Sequence, residues 1–161
     1  MKAGTRGQAN IEVRVSPSVL YDVVSDVRHM GEWSPECKHC EWIDGAVGPT
    51  VGARFKGSNR RGLVRWSTKP RVVVADPGQE FAFVTSHRGR DMTKWTYRFE
   101  LAVGGTNVTE SFEMLRDMPW YYRFADRFLM GVKDRNADLV SNMEATLQRL
   151  RAATEDLDGS H

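Results

Sequence analysis

The C-terminal part of the chain contains one long amphipathic segment, and this segment constrains the fold more than any other feature. Within residues 118–153, the side chains of one face recur at helical spacing, while the opposite face is charged and polar. This period predicts a helix with one buried face. The buried face is expected to consist of Val132, Asn136, Leu139, Val140, Met143, Leu147 and Leu150.

The length of the segment predicts that the helix is broken. A continuous helix of about 35 residues would be on the order of 50 Å long, whereas a domain of this size is only about 40 Å across. Gly131 is the expected break. Asp117 is a candidate N-cap ahead of Pro119, which fits the first turn because it lacks an N–H. We therefore expect a shorter helix, a bend and then the long helix.

The residues before this segment predict strands, which need a cover for their apolar face. Ile11, Val13 and Val15 alternate with charged residues, as in a half-buried strand, and Ser16-Pro17 is typical of a helix start. A second short helical segment is expected over residues 27–33. Six further strands are expected over residues 38–44, 54–59, 63–75, 80–86, 93–103 and 107–115.

This order of elements predicts a single α+β domain, in which antiparallel strands are covered on one face by helices. The domain is expected to span residues 8–153. Residues 1–7 and 154–161 are small or polar and are expected to form flexible tails.

Composition excludes several classes of partner. The 161 residues include 23 basic and 21 acidic side chains, so net charge indicates no polyanion. Basic residues cluster between residues 54 and 71, which we interpret as the solvated face of a hairpin rather than a nucleic-acid site. No apolar run approaches the roughly 20 residues of a membrane span, and the N-terminal residues do not resemble a signal peptide. A cytoplasmic protein is expected.

The two cysteines, Cys37 and Cys40, form a CxxC motif. A structural zinc site needs four ligands, but the histidines at positions 29, 87 and 161 are scattered. A redox-active CxxC favours a helix N-terminus, whereas this motif precedes a predicted strand. We therefore expect Cys37 and Cys40 to be free thiols without a metal ion. Glycine-rich phosphate loops and nucleophile motifs are also missing, so we expect no cofactor.

The order β-α-α-β6-α resembles a known superfamily when it is combined with the segments DVRHMGEWSP, VGARFKGSNRRG and WTYRFELAVGGTNVTESFE. This is the START-like or SRPBCC superfamily, described as polyketide cyclase/dehydrase and lipid transport. The resemblance covers roughly residues 8–152. It implies a helix-grip fold, in which a curved antiparallel sheet and two short helices enclose a cavity with the long C-terminal helix. Members include lipid carriers, hormone receptors, aromatic-polyketide cyclases and quinone-binding proteins, so the fold leaves the ligand open.

Glu110 is the most informative single residue. It shares a face of the last predicted strand with Val108, Phe112 and Met114. A carboxylate on an apolar face is costly unless it is paired or neutral. By strand parity, Asn59 and His87 are its expected neighbours in a polar spot, with Glu110 or His87 as the candidate catalytic acid or base. A structural ion pair with Arg65, or a register that turns Glu110 to solvent, remains open.

Aromatic side chains are the expected walls of the cavity, although ordinary core packing would account for about half of them. A second aromatic cluster at the start of the terminal helix indicates a cavity mouth, a dimer contact or simple core. It comprises Trp120, Tyr121, Tyr122, Phe124, Phe128 and Met130. The expected ligand-binding set is Phe55, Asn59, Trp66, Phe83, His87, Trp95, Tyr97, Phe99, Glu110, Phe112, Asn136 and Met143.

These features favour a binding or carrier protein for a hydrophobic small molecule such as a lipid, polyketide, isoprenoid or quinone. The alternative is a polyketide cyclase or dehydratase in which a pocket residue moves a proton. A third possibility is a protein-interaction module whose cavity is filled by its own side chains. A homodimer is compatible with each of these.

Overall fold

A computed structural model describes residues 1–129 and 131–159, without the side chains of Arg123, Leu157 and Asp158. Met130 of the second aromatic cluster, and Ser160 and His161 of the predicted tail, lie outside the described residues. The elements are β1 (Arg6–Val13), α1 (Pro17–Ser25), a 3-10 turn (Val27–His29), α2 (Met30–Trp33), β2 (Cys37–Ile43), β3 (Arg54–Arg61), β4 (Val64–Thr68), β5 (Arg71–Asp76), β6 (Glu80–His87), β7 (Arg90–Ala102), β8 (Gly105–Met114), α3 (Trp120–Phe128) and α4 (Arg135–Gly159).

The strands form one curved antiparallel sheet in the order β1-β8-β7-β6-β5-β3-β2, with β4 paired to β3. Its longest pairing is the β7–β8 hairpin, whose register runs from Thr93 opposite Met114 to Ala102 opposite Gly105. The connection is a two-residue turn in which Gly104 has a φ of +85°, a conformation that glycine adopts without strain. This turn aligns every side-chain pair across the hairpin.

The start of α1 follows its sequence signal. The Ser16 hydroxyl accepts a hydrogen bond from the backbone N–H of Val19, and Pro17 occupies the first helical position. Leu20 and Val24 of this helix are buried against the sheet.

One predicted strand, residues 63–75, is divided in the structure. β4 ends at Thr68 and β5 begins at Arg71, with Lys69 and Pro70 between them. Proline has no N–H to donate to a ladder, and it restricts the residue before it. The prediction of one long strand was therefore wrong, and the sheet has seven strands after the short helices rather than six.

The predicted break in the terminal segment is confirmed. α3 ends at Phe128, α4 begins at Arg135, and Gly131 between them has a φ of +71°. The predicted cap is wrong, because α3 begins after Pro119 and Asp117 instead accepts a hydrogen bond from the backbone N–H of Ala3.

Both predicted tails are shorter than the sequence indicated. At the N-terminus, β1 already begins at Arg6, and the N–H of Gly4 donates to the carbonyl of Met114. At the C-terminus, α4 continues to Gly159, Thr154 is buried, and Glu155 accepts a hydrogen bond from the N–H of Arg14. Partners from distant parts of the chain order these residues, which local composition does not reveal.

α4 packs against β1, β8 and α2 with its apolar face. Leu147 and Leu150 are fully buried in the main core, whereas Leu139 and Met143 pack in a second cluster with Phe112 and Met114. The architecture is thus the expected α+β helix-grip arrangement. Among the described residues, no helix has the length and apolar character needed to cross a bilayer.

Candidate ligand-binding cavity

A partly open cavity of about 510 Å³ lies within the fold, lined by the sheet, α3, α4 and the segments beside α2. This volume is within the range of small-molecule sites, roughly 300–1,000 Å³. Nine residues of the expected ligand-binding set line it: Phe55, Asn59, Trp66, Phe83, His87, Trp95, Tyr97, Glu110 and Met143.

Three residues of the expected set do not line this cavity. Phe99 is buried beneath α1, where its ring packs edge-on against Tyr21. Phe112 is buried in the second cluster, and its ring lies 5.7 Å from that of Trp95 at an interplanar angle of 45°. Asn136 lies over β1, close to Gly7. Strand and helix periodicity predicted the correct face of each element, but the inner face of the sheet extends beyond the cavity.

Glu110 lies in the cavity wall and is almost completely buried. Its partner is Tyr97, which stands directly opposite on β7 and donates its hydroxyl hydrogen to Glu110 Oε1 over 2.8 Å. Within the described part of the chain, Oε2 of Glu110 has no hydrogen-bond partner. The cavity wall therefore includes a residue with one buried carboxyl oxygen that no described protein group satisfies.

Burial controls the ionisation of this pair. Loss of solvent raises the pKa of Glu110 from 4.5 to about 8, against a smaller lowering effect of the Tyr97 hydrogen bond. The pKa of Tyr97 is raised well above its usual value, first by burial and then by the neighbouring carboxylate. Near neutral pH, Glu110 is therefore mainly a neutral acid. Because Oε1 accepts from Tyr97, the acid proton belongs on Oε2.

The expected neighbours of Glu110 are placed differently. The Asn59 amide donates a long hydrogen bond of 3.4 Å to the carbonyl of Gly57, and Arg65 is exposed on β4. His87 contacts two tyrosines of α3 instead of Glu110. Asn59 and His87 thus share the cavity wall with Glu110, but the hydrogen-bond partner of Glu110 is Tyr97. The two-residue β7–β8 turn carried the missing signal, since it places Tyr97 opposite Glu110.

His87 connects β6 to α3 beside the cavity. Its Nε2 lies 2.6 Å from the Tyr121 hydroxyl and its Nδ1 lies 2.9 Å from the Tyr122 hydroxyl. In a neutral imidazole, one nitrogen accepts and the other donates, so both positions are used. Both ring nitrogens of His87 thus contact tyrosines of α3, and its assignment as a catalytic acid or base stays a prediction.

The second aromatic cluster divides between two surfaces of α3. Tyr122, Ala125 and Asp126 line the cavity. Trp120, Phe124 and Phe128 point outward and are 78%, 55% and 66% exposed, so the core interpretation is wrong for them. α3 thus forms a wall beside the cavity and an apolar outer surface.

Charged residues connect α4 to the strands at another part of the cavity wall. Arg135 donates to Glu36 Oε1 over 3.0 Å and to Asp138 Oδ2 over 2.7 Å, and Arg61 also donates to Asp138 over 2.7 Å. Asn142 donates to Glu36 over 2.9 Å. Apart from Arg135 and Asp138, which are three positions apart on α4, these pairs join residues that sequence spacing cannot relate, and sequence analysis missed them.

Methionines form much of the remaining lining. All six methionines of the described residues line the cavity: Met1, Met30, Met92, Met114, Met118 and Met143. Methionine side chains are flexible and polarisable, so they adapt to irregular apolar shapes. Met1 and Met118 lie outside the helices and strands, where no periodic pattern indicates which way a side chain points.

Both cysteines also face the cavity. Cys37 and Cys40 are buried, and their Sγ atoms are 3.0 Å apart as free thiols. Among the described residues there is no group of three or more His, Cys, Asp or Glu side chains able to hold a metal ion. The expectation of a metal-free site stays a prediction.

A curved antiparallel sheet, a long helix across it and a cavity between them define a helix-grip protein with an internal ligand-sized site. The chain belongs to the family described as polyketide cyclase / dehydrase and lipid transport, whose model matches residues 5–155. A sequence comparison with curated proteins gave no significant match.

Solved structures have the same fold. The Polyketide_cyc-like protein Cgl2372 from Corynebacterium glutamicum is 30% identical, with a TM-score of 0.63 over 100% of this chain and 98% of that one. The ginseng major latex-like protein 151 from Panax ginseng has the same fold at 13% identity, with a TM-score of 0.69 over 94% of this chain and 97% of its own. The di-domain aromatase/cyclase StfQ of the steffimycin pathway matches at 13% identity with a TM-score of 0.74, over 96% of this chain and 51% of StfQ.

Proposed function

We propose that this protein binds a hydrophobic small molecule in its cavity and holds one oxygen atom of that molecule at Glu110. The observation that carries the proposal is that Glu110 lines the cavity while its buried Oε2 has no hydrogen-bond partner within the described residues. Buried polar groups are almost always hydrogen-bonded in native proteins. An unsatisfied one in a cavity wall is therefore a natural ligand contact.

The protonation state of Glu110 determines which kind of ligand group it can bind. With its pKa at about 8, Glu110 is a hydrogen-bond donor at neutral pH through Oε2. A carbonyl, ether or hydroxyl oxygen would accept this bond. Lipids, polyketides, isoprenoids and quinone-like molecules all combine such an oxygen with a large apolar surface.

The walls support an apolar and partly flat ligand. Phe55, Phe83 and Trp95 supply aromatic surface, and the six methionines supply adaptable apolar surface. Sites of this composition obtain affinity from apolar burial and orientation from a few polar groups. The cavity is not filled by the protein's own side chains, which disfavours the third, interaction-module interpretation. A homodimer stays a prediction, which analytical ultracentrifugation tests directly.

A test of the anchor uses a neutral, flat fluorophore with a single ketone, an acylated dimethylaminonaphthalene, in a fluorescence titration. We expect Glu110→Gln to bind it within about threefold of the wild type at pH 7, because the amide can replace the neutral acid as donor. Glu110→Leu should bind roughly 2- to 10-fold more weakly, the range for one neutral hydrogen bond. Wild-type affinity should fall above about pH 8, as the carboxyl ionises and stops donating, whereas that of the Gln variant should not.

Glu113→Gln is the matched control, since Glu113 lies on the same strand and pairs with Arg6 at the surface. It should leave the titration unchanged. A loss of more than about tenfold in Glu110→Gln at pH 7 would contradict a neutral donor and indicate that Glu110 accepts from the ligand as a carboxylate. Native mass spectrometry of freshly purified protein would give the mass of a co-purified ligand.

A cyclase or dehydratase activity is the second candidate, and the pKa of Glu110 favours it. A general acid or base works best when its pKa is near the operating pH, and burial raises that of Glu110 to about 8. With a poly-β-keto substrate, Glu110→Gln should then keep binding while turnover falls by roughly 10²- to 10⁴-fold. Unchanged substrate after incubation with the wild type would favour the carrier.

A further inference from the structure

The CxxC motif has a geometry that strand periodicity alone does not produce. Side chains three positions apart on a regular strand point to opposite faces of the sheet. In β2 the register against β3 shifts between Cys37 and His39, so that Cys37 stands opposite Asn59 and Cys40 opposite Gly57. This bulge brings both thiols to the cavity face.

The two sulfurs are close enough to react with each other. Cys37 Sγ and Cys40 Sγ are 3.0 Å apart, and a disulfide bond of about 2.0 Å requires them to approach by roughly 1 Å. Gly57 leaves room for this movement, since even an added Cβ there would lie 3.5 Å from Cys40 Sγ and 3.9 Å from Cys37 Sγ.

Both thiols are covered by protein but line the partly open cavity. A molecule small enough to enter the cavity can therefore approach Cys37, the more exposed of the two. The pair is also asymmetric: the hydrogen bond from Cys40 lowers the pKa of Cys37, whereas the pKa of Cys40 is raised. The thiolate is the attacking form, which makes Cys37 the first nucleophile.

We propose that Cys37 and Cys40 form a thiol–disulfide exchange site that reacts with small, uncharged organic disulfides entering the cavity. The Cys37 thiolate attacks one sulfur of the oxidant, forms a mixed disulfide and releases the first thiolate. Cys40 then attacks the Cys37 sulfur, closes the Cys37–Cys40 bond and releases the second thiolate, which takes up the Cys40 proton. Two protein thiols are oxidised and one small disulfide is reduced to two thiols.

The test treats the pre-reduced protein anaerobically with bis(2-hydroxyethyl) disulfide and follows intact mass and free thiols. Since the chain has two cysteines, each thiol can be assigned. The wild type should lose both thiols and about 2 Da without retaining an adduct. Cys40→Ser should stop at a stable adduct on Cys37 that a reductant removes. Cys37→Ser should react at least about tenfold more slowly than Cys40→Ser, because Cys40 lacks the favoured thiolate.

Two controls separate the folded site from ordinary thiol chemistry. In denaturant, the two single variants should react at similar rates, since the difference belongs to the fold. Cys37→Ala, checked by circular dichroism, should repeat the Cys37→Ser result. Cys40→Ala, which removes the hydrogen-bond donor to Cys37, should still form the adduct but more slowly than Cys40→Ser, whose hydroxyl can replace that donor. A retained adduct on the folded wild type, equal rates for the two folded variants, or failure of the folded wild type to react would overturn the proposal. So would purified protein carrying a stoichiometric metal ion that is lost in Cys40→Ser. None of these outcomes bears on the anchor at Glu110, which has its own titration.

Discussion

The stability of Glu110→Gln relative to the wild type is expected to increase as the pH rises. In the wild type, the folded state holds a proton on Glu110 up to about pH 8, whereas the unfolded chain releases it near pH 4.5. Between these values, the unfolded state binds fewer protons than the folded state, so the stability of the wild type falls as pH increases. The variant has no such group and escapes this loss.

The expected size follows from the difference in pKa. The gap in free energy of unfolding between Glu110→Gln and the wild type should grow by roughly 3–5 kcal/mol from pH 4 to pH 8. Urea denaturation of both proteins across this range measures it. Glu113→Gln, on the same strand but paired with Arg6 at the surface, should show no comparable trend. A gap that stayed constant with pH would mean that Glu110 ionises normally and is solvated or paired.

Truncating Leu147 to alanine is expected to cost about 2–5 kcal/mol of unfolding free energy, the usual range for a buried leucine. Leu147 is 1% exposed on the face of α4 that packs in the main core. The loss combines the apolar contacts of the side chain with the space that its removal leaves.

Leu63→Ala is the matched control for this substitution, because Leu63 is 96% exposed. It should change stability by less than about 0.5 kcal/mol, as expected for a surface position. Chemical denaturation of the two variants compares the same change of side chain in two environments. An equally small effect at Leu147 would mean that α4 does not pack on the sheet as described.

The Glu110 experiments also connect stability to function. The same burial that keeps the carboxyl neutral makes it costly in the empty protein and useful in a complex. A ligand oxygen that accepts from Oε2 would stabilise the neutral form further and move the pKa of Glu110 upward. The pH dependence of binding and that of stability should therefore report the same group.

Local patterns predicted most of the architecture. The stripe through Leu139, Met143 and Leu147 indicated which face of the terminal helix is buried, and the length limit placed the break at Gly131. Alternation along β8 placed Glu110 on the inner face. These features depend on the repeat of one helix or one strand, which the order of residues determines directly. The error at Pro70 was also local, since proline interrupts a ladder.

Tertiary structure decided which inner residues meet. Phe112 and Phe99 have the predicted orientation, yet they pack in the core because the cavity occupies only part of the inner face. His87 contacts two tyrosines of α3, which lie 34 and 35 positions further along the chain. No periodic pattern contains information about such distances, because they depend on how separate elements dock.

The chemistry of the cavity also depends partly on the sequence alone and partly on the tertiary structure. The sequence by itself determined that a carboxyl group and two cysteines exist, and it placed the carboxyl on an apolar face. The β7–β8 register supplied Tyr97 as its partner, and burial by surrounding elements raised its pKa. The bulge in β2 brought Cys37 beside Cys40. Reactivity depends on distance and desolvation, and both arise only when distant parts of the chain are packed together.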